Sequence, residues 1–218
     1  MARALAARPG ADATARADLA YTLFLVSTAA PSGDGTAALA EGLPLAQSLA
    51  ISVPASSQYQ NLVVLLGEKL GAARLAAADN SGALAAYLSA RDAAAAWVGL
   101  NSKDANAAAA ELESSVTGIA RVAQAMLLAR DFQGALAVLD KATPVAPDQN
   151  WFDLIRAACL MFLGRDDEAR ALYLKHRGET TYAGKSWETA TKDGFALLRA
   201  NGLDNPLMTE IEAEMAGK

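Results

Sequence analysis

Apolar residues recur at three- and four-residue spacing through most of the chain, the period of a helix that turns one face to a core. The pattern breaks at Pro9-Gly10, Pro31 to Gly35, Pro54 to Ser57, Asp79 to Gly82, Asn101 to Asp104, Pro147 to Asn150 and Gly164. The stretches between these breaks are of helix length, and none alternates apolar and polar positions with the β-branched enrichment a strand needs. The spacing predicts helices over 11–30, 36–52, 57–78, 81–99, 105–129, 131–144, 150–163 and 165–177, with two more over 186–201 and 205–216. The expected class is all-α.

Composition sharpens this to helices that pack closely. Of 218 residues 53 are alanine, which favours helices, is depleted in strands and lets backbones approach. A net charge of -5, with six basic against seven acidic residues up to position 100, supplies no basic field for phosphates. Nucleic acid and anionic membrane surfaces are thus not expected as partners. The longest apolar stretch, Leu19 to Ala30, is shorter than the roughly 20 residues a membrane span needs. Arg3, Arg8 and Arg16 precede it as in a secretory leader, but Asp12 and Asp18 stand in the same region and Pro9-Gly10 interrupts it. With Cys159 as the single cysteine, a reducing compartment is expected, cytoplasmic rather than secreted or periplasmic.

The predicted helices come in pairs, and three segments align without gaps: Ala78 to Tyr87, Arg130 to Leu139 and Gly164 to Tyr173. Each carries an Asp near a tight turn, an alanine opening a helix (Ala83, Ala135, Ala169) and a large apolar residue four places on (Tyr87, Leu139, Tyr173). In a helical hairpin the Asp caps the second helix, the alanine lets the two backbones close, and the large side chain fills the space one turn later. In the middle copy Ala142 and Pro147 follow where the second helix packs and stops.

This order of small, large, small and proline resembles the tetratricopeptide repeat family. Ala135, Leu139, Ala142 and Pro147 match it throughout; Ala83, Tyr87 and Ala90 match three places; Leu70-Gly71 supplies the leucine-glycine pair of a first helix. Val64 and Arg74 stand where the family usually has tryptophan and tyrosine, and His176 takes a small-residue place in the third copy. Ala4 and Pro9 have the spacing of a second helix and its stop, and Gly42, Leu49 and Pro54 repeat the order more loosely. The copies are about 45 to 50 residues apart against about 34 in the standard unit, as in long-repeat bacterial members. The resemblance implies a right-handed α-solenoid of antiparallel helix pairs forming one continuous domain. Residues 1–55 would be a degenerate or partial repeat, 56–177 the clear repeats and 178–218 a helical cap. In that cap Trp187, Phe195 and Leu198 are expected to be buried against the last pair.

Candidate chemistry is sparse. His176 is the sole histidine and stands between Lys175 and Arg177 at a helix end, a set of charges that suits the helix dipole better than a metal. Cys159 lies in an apolar helical stretch as a core thiol. The Pro31 to Thr36 turn lacks the ending of a phosphate loop; Asp166, Asp167 and Glu168 open a helix, and Glu210, Glu212 and Glu214 alternate without forming one face. No catalytic residue, metal site or cofactor is assigned. What the resemblance implies instead is a groove lined by the first helix of each pair, which places Glu68, Arg121, Gln124, Trp151 and Leu154 on a partner-binding face, with Leu65, Leu128, Ala158 and Met161 among their neighbours. The expected function is a non-catalytic scaffold or adaptor module binding a peptide or protein segment. The rivals are a small-molecule or enzymatic pocket in the same groove, and an architectural unit that self-associates through its N-terminal end.

Overall fold

The computed structural model describes residues 12–29, 32–100, 103–142, 150–181 and 184–217. Among them are ten helices and no strand, beyond one isolated antiparallel bridge between Thr180 and Ser186. The helices are α1 (Ala13–Ala29), α2 (Ser32–Ser52), α3 (Ser57–Ala76), α4 (Asn80–Gly99), α5 (Ala105–Leu128), α6 (Phe132–Ala142), α7 (Trp151–Phe162), α8 (Asp166–Lys175), α9 (Trp187–Ala200) and α10 (Pro206–Ala216). All ten fall where the apolar period places them, within a few residues. One start differs. Within the expected break the described residues from Ser32 to Gly35 already belong to α2, and Gly35 is where small size matters: a side chain there would stand 3.0 Å from the Ser27 carbonyl of α1. Pro44 lies inside α2 without ending it. It faces solvent, and so does Ala40, whose carbonyl loses its intrahelical donor to the proline ring and is left to water. Ala4, Pro9 and Pro147, which carry parts of the repeat pattern, lie outside the described residues.

The chain divides into two compact units, residues 1–119 and 120–218, with the division inside α5. In the first, α1 packs on α2, α2 on α3 and α3 on α4, consecutive helices throughout. Its core is built from small and aliphatic side chains, with Ala46, Val64, Leu66 and Ala94 inaccessible to solvent. A close approach surrounds Tyr87. A methyl group on Gly71 of α3 would come within 2.8 Å of that ring, and one on Gly118 of α5 within 2.2 Å. Glycine at both places is what lets two helices close on one buried aromatic ring.

In the second unit α7 packs on both α6 and α8, and α10 on both α8 and α9. Ala135 and Ala169 are fully buried here, as Ala83 is in the first unit. Trp187, Phe195 and Leu198 are buried as well; the Trp187 indole donates to the Tyr173 carbonyl at 2.6 Å, and Phe195 meets Tyr173 edge to face at 5.0 Å. The alternating glutamates of α10 divide their work. Glu210 and Glu214, one turn apart, pair with Arg170 of α8, while Glu212 takes Arg199 of α9 through two bonds of 2.9 and 3.1 Å.

The three aligned turns share one backbone geometry. Ala78, Arg130 and Gly164 each adopt the left-handed conformation, with φ of 59°, 68° and 73°. The next amide in each case bonds the carbonyl five residues back: Asp79 to Arg74, Asp131 to Met126 and Arg165 to Leu160, all at 2.9 Å. This is a Schellman closure, in which a left-handed residue lets the chain satisfy the last carbonyls of one helix before the next begins. Gly202 with Leu203 repeats it between α9 and α10. The caps differ in a way the side chains explain. Asp79 and Asp131 accept from the amides of Gly82 and Gly134, each at 2.9 Å, and a methyl group on either glycine would stand within 2.3 Å of the capping carboxylate. In the third copy the cap position belongs to Arg165, not to an Asp, and no side chain caps the helix. Glu168 replaces the glycine and pairs with Arg165 through bonds of 2.7 and 2.6 Å. The expected Asp cap therefore holds in two copies, and a surface ion pair takes its place in the third.

Candidate functional site

Between α5, α7, α8 and α9 the second unit has a half-open cavity of about 280 Å³. Leu127 and Leu128 at the end of α5 form one wall, Trp151, Leu154, Ile155 and Ala158 of α7 a second, and Thr191, Phe195 and Leu198 of α9 a third, with Tyr173 of α8 also lining it. The α7 wall follows from helical spacing, since 151, 154, 155 and 158 lie on one face of the helix. The lining is apolar except at Gln124, Thr191 and Asp193, and Asp193 is already paired with Lys185 at 2.6 Å. Burial pushes the Tyr173 phenol above its ordinary value.

Of the residues expected on a binding face, Gln124, Trp151 and Leu154 come together in this cavity, joined by Leu128 and Ala158. Arg121 is exposed on α5 and is not among the lining residues. Glu68 belongs to the other unit, where it accepts from the Ser115 hydroxyl at 2.7 Å. Burial pushes its carboxyl up, against the bonds from Ser115 and Ser114, and the neighbouring Glu111 adds to the rise. Leu65 lines a separate cavity of about 230 Å³ with Tyr21 and Asn61, and Met161 is core at 1% exposure. The α9 wall was not expected: Phe195 and Leu198 read as cap core, and they are both buried and pocket-lining. Thr191 carried the missing signal, a polar residue between Trp187 and Phe195 on a face that is otherwise apolar.

His176 is held more tightly than charges at a helix end require. It is buried, with Nε2 2.8 Å from Asp153 Oδ2 and Nδ1 2.8 Å from Glu179 Oε2, and its ring lies against Trp187 at 4.7 Å. Asn150 also donates to Glu179, at 3.0 Å, and these two bonds hold that carboxyl below its usual range, the Asn150 bond contributing most. The cluster ties the start of α7 to the end of α8 and to the entry of α9, three of the elements that wall the cavity. Cys159 is inaccessible, and burial pushes its thiol up to about 12. Among the described residues no group of three or more His, Cys, Asp or Glu is placed to hold a metal ion, and no helix is long and apolar enough to cross a membrane.

No family model, curated protein or solved structure matches this chain.

Proposed function

We propose that the chain is a non-catalytic, tetratricopeptide-like interaction module, a scaffold or adaptor that receives an apolar side chain of a partner polypeptide in the cavity of residues 120–218. The observation that carries the reading is the meeting of Gln124, Trp151 and Leu154, chosen from repeat register alone, around one apolar cavity. Three hairpin turns of one geometry, each followed by a fully buried alanine, support a repeat architecture, and a right-handed solenoid is the arrangement proposed for it. The cavity offers apolar and aromatic walls with few polar groups, which favours recognition by burial over covalent chemistry. Cytoplasmic placement belongs to the same proposal, in keeping with one inaccessible cysteine.

The test is selection of a random peptide library on the intact chain with counter-selection on Leu154→Arg, which places a charged stem in the cavity. Enrichment of peptides sharing an apolar anchor that bind the parent and not the variant is the expected result. Peptides that bind both alike would move the interaction off this cavity.

A further inference from the structure

The first unit carries a half-open cavity of its own, of about 230 Å³, lined from α1 by Asp18 and Tyr21 and from α3 by Gln58, Asn61 and Leu65. Helical spacing assembles it: 18 and 21 share one face of α1, while 58, 61 and 65 share one face of α3, with Leu62 beside them as a buried apolar wall. The polar groups of this cavity are open to solvent. Asp18 and Gln58 are exposed, Tyr21 is 51% exposed and Asn61 is half-buried. None of these four side chains makes a hydrogen bond or ion pair among the described residues. Asp193, the carboxylate of the cavity in 120–218, is by contrast already held by Lys185.

The charge around the site is one-sided. From position 17 to position 68 the sequence holds Asp18, Asp34, Glu41 and Glu68 and no Lys, Arg or His. Arg16, two residues before Asp18, stands about 200° round the helix, on its other side. Lys69 lies over the Phe24 ring at 5.2 Å, and Phe24 stacks on Tyr21 at 6.1 Å. That aromatic pair thus already carries one ammonium, contributed by the chain itself.

We infer that this cavity binds a primary ammonium on an apolar stem, the end of a lysine side chain or of a free alkylamine. Asp18 supplies the counter-charge. The amide oxygens of Gln58 and Asn61 add acceptors, and the three donors of an ammonium turn to meet groups spread over two helices, where a guanidinium holds its donors in one plane. Tyr21 offers a cation–π face, and Leu62 and Leu65 take the methylene stem. The volume lies below the roughly 300 to 1,000 Å³ of drug-sized sites, which suits a single side chain. An anion would meet an unpaired carboxylate, and a wholly apolar group would strip water from Asp18 without replacing it. The site belongs to the first unit and does not depend on what the cavity of 120–218 receives.

The experiment titrates the full chain with acetyl-Gly-Lys-Gly-amide, its Nε-acetyl-lysine counterpart, acetyl-Gly-Arg-Gly-amide and n-butylammonium, and follows backbone and side-chain amide signals by NMR. The lysine peptide is expected to saturate at millimolar concentration, with shifts at Asp18, Tyr21, Gln58 and Asn61. It should bind about fivefold more tightly than its acetylated counterpart, the upper worth of an exposed ion pair, and the difference should shrink in salt. Asp18→Asn should remove that preference with the melting temperature unchanged, since the carboxylate bonds to nothing in the fold. Tyr21→Leu should weaken lysine binding about twofold where Tyr21→Phe does not. A lysine peptide that binds more tightly than n-butylammonium assigns the ligand to a polypeptide; equal or weaker binding assigns it to the free amine. Equal affinity for the lysine and acetyl-lysine peptides, tighter binding of the arginine peptide, undiminished affinity in Asp18→Asn, or no saturable shift at these four residues would each overturn the assignment.

Discussion

The two units solve helix packing differently. Residues 1–119 hold 35 of the 53 alanines and 17 charged residues, whereas 120–218 hold 18 alanines and 26 charged residues. In the first, glycine and alanine bring helices so close that Tyr87 is gripped between Gly71 and Gly118. In the second, larger side chains hold the helices, Trp187 and Phe195 against Tyr173, with ion pairs from Arg170 and Arg199 at the periphery. Small residues bring the helices of the first unit close, though a cavity remains beside Tyr21 and Leu65, and the aromatic-walled cavity falls in the unit built from rings. In the proposed function the first unit is the support and the second the recognising part.

Removing the ring at the centre of the second unit should have the largest effect. Trp187→Ala, which deletes a fully buried indole and its bond to Tyr173, is expected to cost about 3 to 5 kcal/mol in urea unfolding. Crowding the first unit comes next. Gly118→Val drives a branched side chain into Tyr87 and should cost about 3 kcal/mol, where the same change at exposed Gly99, with nothing within 4 Å, should be far milder. If Gly118→Val proves neutral, close packing is not what holds that unit.

The turns sharpen the comparison at smaller scale. Asp131→Ala should cost about 1 kcal/mol as a lost helix cap. Ala78→Gly runs the other way and should stabilise by about 1 kcal/mol, because it relieves a left-handed alanine that the Schellman turn requires. Acid should weaken the Asp79 cap: the Gly82 amide, more than Ser81 or Arg74, holds that carboxyl below its ordinary value, so its contribution is present above the unfolded value and is lost as pH falls through the folded one. Glu68 has the opposite sign. Its folded carboxyl is raised by burial, so its ionisation weighs against the fold at neutral pH and that penalty lifts as pH falls; Glu68→Gln should flatten this part of a stability-against-pH curve. Smallest of all, Arg121→Glu on the exposed face of α5 should shift stability by under about 0.5 kcal/mol, and a larger shift would place Arg121 in the packing.

Helix positions were legible because the apolar period and the Gly, Pro and Asp breaks act locally. The exception, the start of α2, went the other way: Gly33 and Gly35 signal a turn in isolation, and only the neighbouring Ser27 carbonyl shows why small residues are needed inside a helix there. Ala83, Ala135 and Ala169 were readable as close-approach positions because three copies agree. The missing Asp cap in the third copy was not read, although Arg165 and Glu168 stand in the places of Asp and Gly in the same register. About a third of the cavity lining, Gln124, Leu128, Trp151, Leu154 and Ala158, was legible through the repeat register. The α9 wall was not, because its partners on α5 and α7 are distant along the chain and nothing local says which face of α9 meets Trp151. His176 escaped for the same reason: Asp153 is 23 residues from it in sequence and 2.8 Å in space.

The division of labour between the units is tested most directly by mapping amide shifts across the full chain while it is titrated with the uncharged peptide acetyl-Gly-Gly-Leu-Gly-Gly-amide. The account predicts saturable shifts centred on Gln124, Trp151, Leu154, Thr191 and Phe195, with residues around Tyr87 and Glu68 unmoved. Shifts centred on the first unit, or saturable binding that leaves the α7 and α9 walls silent, would contradict it.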